Sequence, residues 1–208
     1  MLTIDTILLF IAASFMLAIA PGPDNIFVLT QSMLKGAKAG VFVTFGLCSG
    51  LIFHTSAVAL GIAAIFQTSA LAFSILKFIG AGYLLYLAYL SFQSSSSSSF
   101  KAKNDNLTPQ KLYKRGIFMN ITNPKVSIFF LAFLPQFTNP QTGNITVQIF
   151  ILGTIFMLTT LIVFSSIALG AGKLGRWFEQ SPKAESILNK CAGTIFAALA
   201  LKLAFANR

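Results

Sequence analysis

The chain has 208 residues, of which 55% are apolar and 10% charged, with a mean hydropathy of +0.78. An average soluble domain is about 25% charged, so a soluble globular domain is excluded and an integral membrane protein remains. Fifteen Lys and Arg against five Asp and Glu give a net charge of +10, but the basic residues sit between long apolar stretches instead of forming a stripe, so no nucleic-acid partner is implied.

A spanning helix needs about 20 apolar residues. Six runs qualify between the Gly, Pro and charge punctuation: Ile4 to Lys35 with a break at Pro21, Val41 to Phe66, Ala70 to Phe92, Ile117 to Phe137, Ile145 to Gly170, and Ile187 to Phe205. Ala18-Ile19-Ala20 imitates a signal-peptidase site. No Lys or Arg precedes it, however, and Asp5 stands where a positive n-region belongs, so the segment reads as retained. Basic residues mark the first loop (Lys35, Lys38), the third (Lys101, Lys103, Lys111, Lys114, Arg115) and the fifth (Lys173, Arg176, Lys183), while the second and fourth loops carry none. Lys and Arg concentrate on the cytoplasmic side, which puts both termini outside, with Arg208 in the tail as a weak dissent. Trp177 fits an inner-interface anchor, and packing is the default for Tyr83, Tyr86 and Tyr89.

The polar run Ser94 to Ser99, continued by Lys101 to Asp105, reads as a flexible tether. The chain thus divides into a first three-helix repeat (1–92), a cytoplasmic Ser/Lys-rich linker (93–114) and a second three-helix repeat (115–208). Three is odd, so the halves enter the membrane from opposite sides and any homology between them is inverted. Pro23 and Pro124 open similar runs, and Lys77-Phe78-Ile79-Gly80 resembles Lys190-Cys191-Ala192-Gly193 in the corresponding helix. The expected fold is all-α and integral to the membrane, with six transmembrane helices as two inverted repeats whose first and fourth helices are broken.

The breaks follow from covalent geometry. Pro21 and Pro23 lack an N–H and clash with the carbonyls of Leu17 and Ile19, and Gly22 between them resists helix entropically. In the fourth helix Asn123 is a good N-cap and Pro124 suits the first helical position. Non-helical backbone survives at membrane depth only inside protein or beside a water-filled cavity, and two helix starts suit an anion such as a carboxylate. Lys35 lies twelve residues after Pro23, about 18 Å of helix, and Arg115 nine before Pro124, about 14 Å. In a core about 30 Å thick both breaks fall near the midplane, where inverted-repeat carriers hold substrate.

Asp24 and Lys125 follow the two prolines directly. Such a charge at a helix centre costs roughly 2.5 to 3.5 kcal/mol, which calls for a partner or a function. The expectation is one shared site in which Asp24 meets the ammonium of a zwitterionic substrate and Lys125, with the half-helix amides, meets its carboxylate. A proton on Asp24 would compete with the ammonium and couple export to proton uptake. The structural alternative is a permanent Asp24–Lys125 salt bridge locking the halves, a poor stabiliser beside packed apolar residues. Asn123, Asn25 and Gln31 are further polar contacts.

His54 would titrate near neutrality and offers a proton relay with Asp24, although packing against Ser49, Thr55 or Ser56 is the commoner fate of a lone membrane histidine. Gly46 and Gly50, like Gly36 and Gly40, have small-xxx-small spacing for close helix approach, and such faces also offer a route to a homodimer. Lys77 and Lys190 reach an interface by snorkelling. Cys48 and Cys191 raise an alternative, a membrane thiol-disulfide transferase, against which they lie in non-corresponding helices. A divalent-metal exporter is another, with a thin ligand set. No metal site, cofactor or nucleotide-phosphate loop is implied.

Ala20-Pro21-Gly22-Pro23-Asp24, then Lys35-Gly36 and Gly40, then Asn120-Ile121-Thr122-Asn123-Pro124-Lys125 resemble the LysE/RhtB family of bacterial amino-acid exporters. The third-helix stretch Lys77 to Tyr86 and Phe133-Leu134-Pro135-Gln136-Phe137 extend the resemblance over essentially the whole chain, and only the Ser94 to Ser99 run looks unlike it. The resemblance implies efflux of amino acids or close derivatives from the cytoplasm, driven by the proton gradient, across a bacterial inner membrane. It does not imply an enzyme.

Overall fold

The computed structural model describes residues 2–20, 22–68, 70–93, 107–180 and 182–205, without the side chains of 62–68, 70, 72, 73, 76, 172–180, 182–185 and 188. Pro21, the tether from Ser94 to Asp105, and Arg208 lie outside them, as do the side chains of Lys173, Arg176, Trp177 and Lys183.

The described residues form eight α-helices and no strand: α1 Ile4–Ile19, α2 Pro23–Lys35, α3 Ala37–Thr68, α4 Ala70–Gln93, α5 Pro109–Ile121, α6 Pro124–Ile128, α7 Ile145–Gln180 and α8 Pro182–Ala204. Ala37–Gly61 and Ile145–Ala171 are each long and apolar enough to cross a membrane alone. Two bent pairs qualify when each is taken as one span: Ile4–Ile19 with Pro23–Lys35, bent by 59°, and Pro109–Ile121 with Pro124–Phe137, bent by 50°.

Several boundaries differ from the hydropathy reading. The fourth run begins at Pro109 and not at Ile117, because the Thr108 side chain caps the helix from the Lys111 amide and Pro109 supplies the first helical φ. Its first turns carry Gln110, Lys111, Lys114 and Arg115, which no apolar window detects. For the same reason α3 begins ahead of Val41, α7 continues past Gly170 and α8 begins ahead of Ile187. After α6 the chain does not continue as α-helix. It widens into a π-helical turn, Phe129–Phe133, then tightens into a 3-10 turn, Leu134–Phe137. Pro135 is the cause, since it cannot donate to Leu131 and its ring crowds that carbonyl.

The surface carries many large apolar side chains, as a lipid-facing surface would, and a mainly apolar interior encloses a set of polar groups. Ile4, Leu60 and Leu169 are more than 70% exposed, whereas Asp24, His54, Asn120 and Thr160 are buried. Buried hydroxyls on these helices mostly bond the carbonyl one turn back, as Ser14 does to Phe10 at 2.7 Å and Thr55 to Leu51 at 2.8 Å.

The most extensive helix contacts are α3 with α5, α3 with α7 and α4 with α8. Glycines set the closest one. A Cβ on Gly46 would lie 2.1 Å from the Tyr113 carbonyl oxygen, and one on Gly116 would lie 2.5 Å from that of Val43. Gly50 faces Asn120, Gly40 faces Ser32 and Ala168, and Gly36 makes the α2–α3 turn at φ 85°. The Gly40, Gly46 and Gly50 faces are therefore filled within one chain.

Two buried apolar clusters fill the bundle. One holds Leu17, Leu51, Val126 and the aromatic stack Phe10, Phe129, Phe133, Phe137 and Phe156, with ring centroids 4.9 to 6.3 Å apart. The other, near Lys38 and Lys111, holds Ala18, Val28, Val43, Leu47, Leu112 and Phe164. The loop after the π turn is pinned from α7: Asn139 N donates to Gln148 Oε1 at 2.9 Å, and Gln148 Nε2 donates to the carbonyls of Asn139 at 2.9 Å and Gly143 at 3.2 Å. Gln148→Leu strips these bonds from a buried position and is expected to cost about 1 to 3 kcal/mol. It should appear as a lower melting temperature in detergent and faster proteolysis between Asn139 and Gly143.

Candidate functional site

The first break is held by groups reaching in from elsewhere. α1 ends at Ile19, and α2 begins at Pro23 behind an extended Gly22 that offers no side-chain cap. The carbonyls at the end of α1 need donors that the broken helix no longer supplies. Asn25 Nδ2 donates to Ala18 O at 2.6 Å, and Lys125 Nζ crosses from the second break to donate to Ala20 O at 2.8 Å. A Cβ on Gly22 would lie 3.3 Å from Lys125 Nζ, so glycine lets the ammonium come close.

The second break caps itself. Asn123 Oδ1 accepts from Lys125 N at 3.0 Å, and the Asn123 carbonyl accepts from Val126 N and Ser127 N at 3.1 and 3.0 Å. The expectation of two open helix starts is corrected here: the amides at the start of α6 are consumed by Asn123, leaving Lys125's side chain as the positive group from that half.

Both breaks border one cleft at the seam between the two apolar clusters. Its polar wall is Asp24, Asn25, Asn120, Asn123, Lys125 and Thr160, and its apolar wall includes Leu17, Leu51, Phe156 and Phe164. There is room for the centre of a water molecule over about 20 Å³, and roughly 10 to 15 Å³ of such room holds one water. Asp24 and Lys125 line this cleft together, but among the described residues they form no ion pair, because the ammonium is taken by Ala20. Asp24 Oδ1 is buried without a hydrogen-bond partner, as are Asn120 Oδ1, Thr160 Oγ1 and, on α2 two turns beyond Asp24, Gln31 Oε1.

His54 is buried on α3, and its Nε2 lies 3.1 Å from the Asn120 carbonyl oxygen of α5, between the rings of Phe53 and Phe130. The expected neighbours Ser49 and Thr55 are turned elsewhere: Ser49 bonds Phe45 O and Tyr113, and Thr55 bonds Leu51 O. His54 adjoins the cleft through Asn120 and is not part of its wall. Asn120 and Thr160 are wall residues that sequence reasoning did not single out. Nothing in the pattern of α7 distinguishes Thr160 from its other hydroxyls, whereas Asn120, three residues before Asn123, stood within a motif already in view.

An all-helical chain with an apolar exterior and two bent helix pairs closing on a buried polar cleft has the build of a membrane translocator. Residues 15–207 match the family described as LysE type translocator, and the chain belongs to that family. It is 32% identical over 198 residues, 95% of each chain, to the homoserine/homoserine lactone efflux protein of Salmonella typhimurium. It is 28% identical over 199 residues, 94% of this chain and 92% of the relative, to the leucine efflux protein of Salmonella choleraesuis. An uncharacterized membrane protein of Bacillus subtilis, YrhP, is 32% identical over 206 residues, covering 95% of this chain and 97% of its own. No solved structure matches the chain. The family is one of translocators, so the protein is a transporter and not an enzyme, and the thiol-disulfide transferase alternative falls.

Proposed function

We propose that the protein exports amino acids or close derivatives from the cytoplasm across a bacterial inner membrane by proton antiport. The observation that carries this reading is the pairing of a buried carboxylate with one oxygen unpaired, at one helix break, with an ammonium at the other, in one cleft. Asp24 takes the substrate ammonium, and Lys125 leaves Ala20 to take the carboxylate. Asn25 and Asn123 hold the two breaks in shape, and Pro21, Gly22, Pro23 and Pro124 create them. A proton then replaces the ammonium on Asp24, with His54 beside Asn120 as a relay. The export sense draws on the relatives' names, since two of them are efflux proteins for amino acids or their lactone.

The same reading makes α4 and α8 the third and sixth spans, with both termini outside and the halves (1–92 and 115–208) related as inverted repeats across the linker. Packing supports that relation. α3 meets α7 and α4 meets α8, each helix touching its own counterpart, as elements beside a two-fold axis do. Gly80 of α4 approaches Leu203 of α8 as well as Ala132 of the π turn, and Gly193 of α8 packs on Phe92 of α4, so both matched glycines lie at the α4–α8 contact.

The test is efflux from cells loaded with dipeptides and screened across the amino acids. Expression of the protein is expected to speed release of a subset with neutral side chains, and a protonophore is expected to abolish that gain. No gain for any amino acid refutes export; a gain untouched by the protonophore refutes antiport alone.

A further inference from the structure

Among the described residues, three of the four buried side-chain polar atoms without a partner belong to the wall of one small cleft: Asp24 Oδ1, Asn120 Oδ1 and Thr160 Oγ1. Their residues are 5%, 2% and 3% exposed, so solvent outside the bundle does not satisfy them. Thr160 differs from three other hydroxyls of its own helix. Thr154, Thr159 and Ser166 of α7 each bond the carbonyl four residues back at 2.8 to 2.9 Å, whereas Thr160 leaves that bond unmade and lines the cleft. Native proteins leave few such groups unpaired, and each asks for a ligand or water. A carboxylate oxygen and an amide oxygen are acceptors only, and a hydroxyl accepts as well as donates.

We infer that Asn120 Oδ1 and Thr160 Oγ1 join Asp24 Oδ1 as the three acceptors of a substrate's unsubstituted ammonium, making that group the recognised feature of the cargo. Three N–H donors meet three acceptors, one charged, with none left over. The remaining wall by Leu17, Leu51, Phe156 and Phe164 is apolar and receives an uncharged side chain. N-methylation removes one donor and N-acetylation removes the charge with two of them, so both leave buried acceptors unpaired, the arrangement by which a polar site rejects a near analogue most strongly. The inference rests on the export reading above and assigns the ammonium end of that site.

The experiment is uptake of labelled leucine and homoserine into inside-out vesicles bearing the full-length protein, with unlabelled, N-methyl and N-acetyl leucine as competitors. The N-methyl and N-acetyl compounds are expected to compete on the order of tenfold and 100-fold more weakly than leucine. Thr160→Val, which keeps the shape, should raise the half-saturating concentration on the order of tenfold with little change in maximal rate. It should also narrow the discrimination against N-methyl leucine, and Thr160→Ser should restore both. Equal competition by free and N-acetyl leucine, or a Thr160→Val protein with unaltered half-saturation and discrimination, overturns the assignment and leaves the three atoms to a structural water. If the unmodified protein moves neither amino acid while present at normal abundance in the vesicles, the export reading falls and this inference with it.

Discussion

Asp24→Asn is expected to lower export on the order of 100-fold at sub-saturating substrate, with abundance unchanged or raised. Asparagine keeps the size of the side chain and one acceptor oxygen, while it removes the charge and turns the other oxygen into an N–H donor. That charge costs a helix centre roughly 2.5 to 3.5 kcal/mol, so its loss relieves the fold. Lys125 is not abandoned by the change, because its ammonium already rests on the Ala20 carbonyl. A salt bridge serving only to lock the halves would give the opposite pattern, a less stable protein with normal turnover. The decisive measurement pairs efflux from dipeptide-loaded cells with an immunoblot of the membrane fraction. Normal flux at normal abundance removes Asp24 from the mechanism.

The second large effect lies where α3 and α5 touch backbone to backbone. Gly46→Ala places a methyl 2.1 Å from the Tyr113 carbonyl oxygen, and Gly116→Ala places one 2.5 Å from that of Val43. Neither obstacle is the tip of a flexible side chain, so the helices themselves must part. Overpacking of this kind costs about 1 to 3 kcal/mol and occasionally more. Because the cleft wall residue Asn120 rides on α5, parting the helices also disturbs the site. Both variants are expected to lose several degrees of melting temperature in detergent-purified protein and much of their yield. Gly82→Ala is the control: a Cβ there meets nothing within 4 Å, and exchanging Gly for Ala in a helix gains about 0.8 to 1 kcal/mol. Equal melting temperatures for Gly46→Ala and Gly82→Ala would refute the close-packing account.

What could be read in advance was what covalent chemistry dictates. Pro23 and Pro124 forbid continuous helix whatever surrounds them, so both breaks and the neighbouring Asp24 and Lys125 were legible from order and spacing. Helix ends were less so, because a hydropathy window stops where Lys111, Lys114 and Arg115 begin, although Thr108 and Pro109 start a helix ahead of them. Partners of polar groups were legible only where they are local. Asn123 is the N-cap its place before Pro124 suggests, accepting from the Lys125 amide two residues on, whereas the crossing of Lys125 Nζ to the Ala20 carbonyl depends on the tertiary arrangement. Thr160 stands among several similar hydroxyls on α7, and its distinction is an oxygen buried without a partner. The glycine faces suggested contact but not with whom; α5 sits there because its own Gly116 opens an equal gap.

The cleft has room for one or two waters, far less than even a small amino acid occupies. If amino acids are its cargo, the empty and the loaded carrier have different shapes, and cargo enters only as the walls of Leu17, Leu51, Phe156 and Phe164 draw apart. Much of the attraction between solute and charges is then consumed in prising those walls open. A tightly held compound need not be a quickly moved one, so turnover ranks compounds by how well they fit the widened chamber, and inhibitors are to be sought among molecules that wedge it open and stay.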